Sequence, residues 1–195
     1  MEIDFLKTFV FTDVYIQDLH KDTLLYSKKI KIDVGEFNAE KEKIRISSIV
    51  LLNAKAGLIK YKADPDLNLQ FIIDAFDDGD TTKHAPKKPW DISFGEVTLV
   101  NTSFAYRNEH DTMETTGINF VDIGTNHING RFTDIKIDND TIHGTIEYLS
   151  ATEKSGFVLE NFSSYVNISP VGLKLDELKI KTAESNIQTD LAFKY

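Results

Sequence analysis

The chain contains no cysteine, which removes disulfides, thiolate metal sites and thiol catalysis together and leaves the compartment open. No apolar run approaches the roughly 18 to 20 residues that a membrane-crossing helix needs. No signal-peptide-like stretch follows Met1 either. Either the protein is cytosolic or its targeting segment lies outside these 195 residues; Met1 leads within a few residues into strand-like sequence, as a piece cut from a longer protein would, which favours the second. Positive charge is also short: 22 Lys and Arg stand against 31 Asp and Glu, a formal net charge of −9. That balance argues against nucleic acid and against electrostatic docking on anionic lipid headgroups. The nearest thing to a basic cluster is KHAPKK, Lys83 to Lys88. Helical signal is scarce. GEFNAEKEK (Gly35 to Lys43) could form one short polar helix, and GFVLENFSSYV (Gly156 to Val166) suits helix or strand, but neither has the long apolar stripe that caps a sheet.

What is present favours β-structure. Thirteen Phe and seven Tyr accompany abundant Ile and Thr. Turn signals punctuate the chain at Asp64-Pro65-Asp66, Asp78-Gly79-Asp80, Asn129-Gly130, Asp138-Asn139-Asp140 and Ser169-Pro170. The polar stretch Asp77 to Pro89 reads as the best loop in the chain, dividing two lobes of one continuous sheet. The expected fold is one all-β domain spanning 1–195, built as a long, curved, bulged antiparallel sheet with little helix.

The curvature is read from a recurring slip in alternation. Ile92 and Phe94 alternate with polar residues, then Gly95 and Glu96 intervene before Val97 and Leu99 resume, ending at Asn101. The same order fits Phe9-Phe11-Val14-Ile16-Asp18, Ile44-Ile46-Ile49-Leu51-Asn53 and Leu173-Leu175-Leu178-Ile180-Thr182. Looser copies run through Gly130, Phe132, Ile135, Ile137 and Asn139, and from Phe157 through Leu159 and Phe162. Random order gives roughly 0.4 full matches, and the chain holds four. An inserted residue is what a β-bulge supplies, and it lets both halves of a strand keep apolar side chains on one face. Adjacent strands bent at matching heights form a trough. The alternative is a tight turn between short strands.

Catalytic patterns are absent. There is no HExxH, GxSxG, Walker lysine or Gly-rich phosphate loop, and the five histidines (His20, His84, His110, His127, His143) are scattered. Asp74 to Asp80 has a calcium-loop look but offers Phe76 where a ligand is needed, and reads as a solvated loop. Glu96 and Glu147 could pair as glycosidase acids, as many of the 31 acids could. The triplets beginning at Asp22, Asp111 and Asp140 resemble a bacterial periplasmic O-glycosylation signal and also read as ordinary turns. No enzyme, no cofactor and no metal site is expected.

The slipped copies, the phrase IEYLSATEKSGFVLENFSSYVNIS (Ile146 to Ser169) and the ending LKLDELKIKTAESNIQTDLAFKY together resemble the AsmA-like proteins of Gram-negative bacteria, specifically the TamB type. VYIQDLHKDTLLYSKKIKIDV (Val14 to Val34) and VTLVNTSFAYRN (Val97 to Asn108) resemble that family's strand-turn-strand units. The family starts with a membrane anchor and runs far longer, so this chain would be an N-terminal fragment. The resemblance implies a periplasmic groove carrying phospholipid between inner and outer membranes, or assisting outer-membrane protein assembly. It implies as partners a phospholipid or other acyl-chain ligand, the inner membrane through an anchor outside this chain, and an outer-membrane barrel assembly protein.

The physics of an open trough points the same way. Exposed apolar area costs about 25 cal/mol per Å², so an acyl chain filling it is favoured. The expected lipid-contacting residues are Phe11, Val14, Ile16, Ile46, Ile49, Leu51, Phe94, Val97, Leu99, Ile135, Ile137, Leu175, Leu178 and Ile180. Plain core packing explains each singly as well. The competing architecture is a β-sandwich binding or adhesion module whose own second sheet seals that face.

Overall fold

The computed structural model describes residues 7–41, 43–76, 91–112, 117–138 and 141–194. Nine strands form one sheet in sequence order: β1 (Lys7–Gln17), β2 (Thr23–Asn38), β3 (Lys43–Lys60), β4 (Asp91–Asn108), β5 (Asp122–Asp138), β6 (Thr141–Glu153), β7 (Val158–Ser169), β8 (Gly172–Thr182) and β9 (Asn186–Lys194). One short helix, α1 (Gln70–Phe76), lies in the connection from β3 to β4. The sheet is not closed into a barrel: β1 and β9 are its two free edges. The all-β, curved, open sheet expected from the sequence is what the chain forms.

The sheet is mixed rather than wholly antiparallel, because β3 and β4 run parallel. Such a pair needs a crossover of a dozen or more residues, and the connection from Tyr61 to Trp90 supplies it. The stretch Asp77 to Pro89 lies outside the described residues. Gly35 continues β2 instead of opening a helix, and the stretch from Gly156 to Val166 becomes a turn at Gly156 and then strand from Val158. Asn129-Gly130 is no turn but the middle of β5. Gly130 is buried there, and a Cβ on it would stand 3.0 Å from Phe132 Cε2 and 3.1 Å from Leu149 Cδ1. Its glycine serves close packing.

Register shifts make bulges of the slips on β3, β5, β7 and β8, while the slips on β1 and β4 stay in step with their neighbours. Ile32 and Val34 are two apart on β2, yet their β3 partners are Ile49 and Ile46, three apart. Gly130 and Ile128 on β5 likewise oppose Leu99 and Thr102 on β4. Leu191 and Thr189 on β9 oppose Leu175 and Leu178 on β8, and Leu149 and Ala151 on β6 oppose Phe162 and Leu159 on β7. Two residues facing three is the signature of a bulge, so the apolar positions flanking each such slip share a side.

The backbone accommodates these bends with left-handed residues. Asp13, Asn53, Asn101, His127, Asp134 and Glu177 adopt φ between 49° and 53°. Asn and Asp tolerate this conformation best, because their short side chains bond locally. Asp13, Asp134 and Glu177 are each the second polar residue of a slip, while Asn53 and Asn101 close two of the copies. The Asn101 Nδ2 donates to Asn53 Oδ1 at 2.7 Å and ties two bends together across neighbouring strands.

Candidate functional site

Register places residues of different strands side by side on the same face. One rung crosses all nine strands without a break: Phe11, Ile30, Leu51, Leu99, Gly130, Leu149, Phe162, Ile180 and Ile187. A neighbouring rung joins Phe9, Ile32, Ile49, Val97, Phe132 and Ile146. Val34, Ile46, Phe94 and Ile135 form a third, which Val166, Leu175 and Leu191 resume beyond Gly144. A fourth runs through Ile137, Ile142, Ile168, Leu173 and Phe193. Beyond the left-handed bend, Val14 and Ile16 extend the same side opposite Ser27 and Leu25.

All fourteen lipid-contacting positions expected from the sequence therefore come to one face. Sequence reasoning missed most of that face on β2, β6, β7 and β9. On β2 the residues Ile30, Ile32 and Val34 alternate without a slip, so a template built on slips passed over them; plain alternation was the signal that would have found them.

The reverse side of the sheet is mostly polar. Asp33 accepts hydrogen bonds from the Ser48 hydroxyl at 2.7 Å and the Lys31 ammonium at 2.9 Å. The Thr8 hydroxyl also donates to it, and heads the donors that hold the Asp33 carboxyl far below the usual carboxylate range, ahead of Lys31 and Ser48. Glu96 accepts two bonds from the Arg131 guanidinium, at 3.1 and 2.9 Å, and one from the Thr98 hydroxyl. The Thr133 hydroxyl donates to Glu147 at 3.0 Å. Both glutamates are thus engaged in cross-strand pairs on this outer side.

The apolar face holds most of the buried strand residues. Ser27, Ala54, Thr102, Ser164, Leu175 and Leu178 are all under 9% exposed and all lie on it, whereas Leu24 at the start of β2 is an exception. No second layer covers the face among the described residues. The three buried hydroxyls answer carbonyls at the bends: Ser27 donates to Lys29 O at 3.0 Å, Thr102 to Ile128 O at 3.4 Å, and Ser164 to Asp176 O at 2.9 Å. A buried polar group without such a partner would cost about 1–3 kcal/mol. The rest of the face is half-buried or open, with Phe11 at 48% and Ile137 at 45%.

Strand spacing of about 4.8 Å makes the trough roughly 38 Å long from β1 to β9. That exceeds the ~15 Å depth of one bilayer leaflet's hydrocarbon. At about 0.8 kcal/mol per buried methylene, ten methylenes resting in it gain roughly 8 kcal/mol before the cost of ordering them. Among the described residues no group of three or more His, Cys, Asp or Glu is placed to hold a metal ion. No helix there is long and apolar enough to cross a membrane. Comparison with known proteins returns no matching family model, no matching curated protein and no matching solved structure.

Proposed function

We propose that this chain is a non-catalytic groove segment that holds lipid acyl chains against its apolar face. It is the kind of unit an AsmA-like, TamB-type protein would use in the periplasm to pass phospholipid between inner and outer membranes. The observation that carries the reading is the rung from Phe11 to Ile187, apolar at every strand except Gly130, with no layer of the chain above it among the described residues. Transport along such a surface needs no reacting group. Tails slide across aliphatic rungs while headgroups stay in water. A sandwich sealed by its own second sheet finds no such sheet in the described residues.

Solvent extraction and mass spectrometry of the purified protein should find phospholipid or fatty acid near one or more per chain. Delipidated protein should bind a fluorescent fatty acid, and the pair Ile49→Asp with Val97→Asp, side by side in the trough, should weaken binding at least tenfold. Protein that carries no lipid and binds no fatty acid overturns the reading.

A further inference from the structure

Three connections at one end of the strands share a construction that the groove does not explain. β1, β4 and β6 run in the same direction, so the segments that follow them lie along one rim. In the first, Asp18 is 6% exposed and its Oδ1 accepts the backbone N–H of His20 and of Asp22, each at 2.9 Å. The residue between, Leu19, is pushed out to 78% exposure. In the second, Asn119 is 9% exposed, its Oδ1 accepts the Val121 N–H at 3.2 Å, and Phe120 stands out at 72%. In the third, Glu153 is 5% exposed, its Oε2 accepts the Ser155 N–H at 2.7 Å, and Phe157 emerges at 40%.

Hydrogen bonds tie the described parts of these connections to their surroundings. Asp18 Oδ2 also accepts from the Tyr61 hydroxyl and the Asn68 amide, both at 2.8 Å. His20 Nε2 lies 2.6 Å from Asp64 Oδ2, and His110 Nε2 reaches the Tyr61 and Asp64 carbonyls at 2.9 Å. Asn108 donates its N–H to Val121 O at 2.8 Å, which fastens the Phe120 connection to β4. A hydrogen-bonded polar bed thus presents large apolar side chains to solvent at turns, where polar residues are the usual occupants.

We infer that this rim docks on the interface of a neutral, zwitterionic lipid bilayer, with Leu19, Phe120 and Phe157 as the inserted wedges. The three stand on separate turns divided by polar loops. A protein partner wants one contiguous apolar core, whereas the soft headgroup region accepts isolated Leu and Phe side chains at different heights. The charge around them selects against anionic lipid: Asp22, Asp64, Asp66, Glu109 and Asp111 outnumber Lys21, Lys62 and Lys154. This docking stands whether or not the trough carries lipid.

Sedimentation with phosphatidylcholine vesicles tests it. The parent should bind, bind less when phosphatidylserine is added, and lose roughly tenfold in partitioning for each of Leu19→Ser and Phe120→Ser. Val171→Ser, 75% exposed at the opposite rim, should leave binding unchanged. Fatty-acid binding should be normal in the rim variants, while the Ile49→Asp with Val97→Asp pair should keep vesicle binding. Folding of each variant is checked by its unfolding midpoint. No binding of the parent to neutral vesicles, or equal loss from Val171→Ser, overturns the inference.

Discussion

Gly95 has no room for a side chain: a Cβ there would stand 2.6 Å from the backbone oxygen of Ser47 on the adjacent strand. Gly95→Ala should therefore lower stability by about 1–3 kcal/mol, read as an earlier urea midpoint. Asp134, at φ 53°, gives the complementary test. Asp134→Gly should stay within about 1 kcal/mol of the parent, while Asp134→Val should cost about 1–2 kcal/mol, because a β-branched residue resists the left-handed region. Titration adds a third. Asp13, Asp18 and Asp33 are held below the ordinary 3.8, and Glu153 below 4.5. Lys28 is the main cause at Asp13 and Thr8 at Asp33. At Glu153 it is Ser155. At Asp18 the largest influence, burial, pushes upward, and hydrogen bonds from Asn68, Tyr61, Asp22 and His20 together outweigh it. Each group is a stronger acid when folded, so each adds stability above its ordinary value and loses it as pH falls through the lower folded value. The unfolding midpoint should hold from pH 7 to about pH 5 and drop below about pH 4. Asp33→Asn should shallow that drop; an unchanged acid limb would refute the assignment.

At the scale of the strand, the sequence was most informative where alternation failed. The polar pairs Ser47-Ser48, Thr133-Asp134 and Asp176-Glu177 coincide with register shifts and Asp13 of Thr12-Asp13 is left-handed, whereas Gly95-Glu96 stays in step with both neighbouring strands. That is legible because an extra residue must flip the face unless the backbone bulges. Less legible were elements set by long-range geometry. The parallel neighbour of β3 depends on how a connection of some thirty residues runs, not on any local pattern. Asn129-Gly130 carries a strong turn signal, but its glycine answers to Phe132 and Leu149 packed beside it. The buried turn residues Asp18, Asn119 and Glu153 were invisible, because burial of a polar residue is decided by partners far away in the chain. β1 is one of two free edges of the sheet, with Val10 51% exposed. Unpaired edges recruit one another, so the parent should self-associate as concentration rises in light scattering. Val10→Lys should suppress this without lowering the unfolding midpoint.

For the molecule as a whole, the described residues form a sheet with no second layer and so have little interior. Among the described residues the buried apolar side chains are Leu24, Ala54, Leu175 and Leu178. On the proposed reading, an acyl chain on the apolar face would add to stability. Fatty acid at about 100 times its Kd should add roughly 2.7 kcal/mol, visible as a clear rise in Tm, if it binds the folded chain alone. The parallel pair has its own large-scale effect. In a strictly up-and-down meander the first and ninth strands would point the same way; a single parallel step reverses everything after β3, so β1 and β9 point oppositely. A second copy shifted sideways would then offer its first strand to the ninth in the mutual sense most hairpins use, setting Phe11 next to Ile187. Units joined like this would lengthen one greasy gutter, with no joint where the lining changes sides.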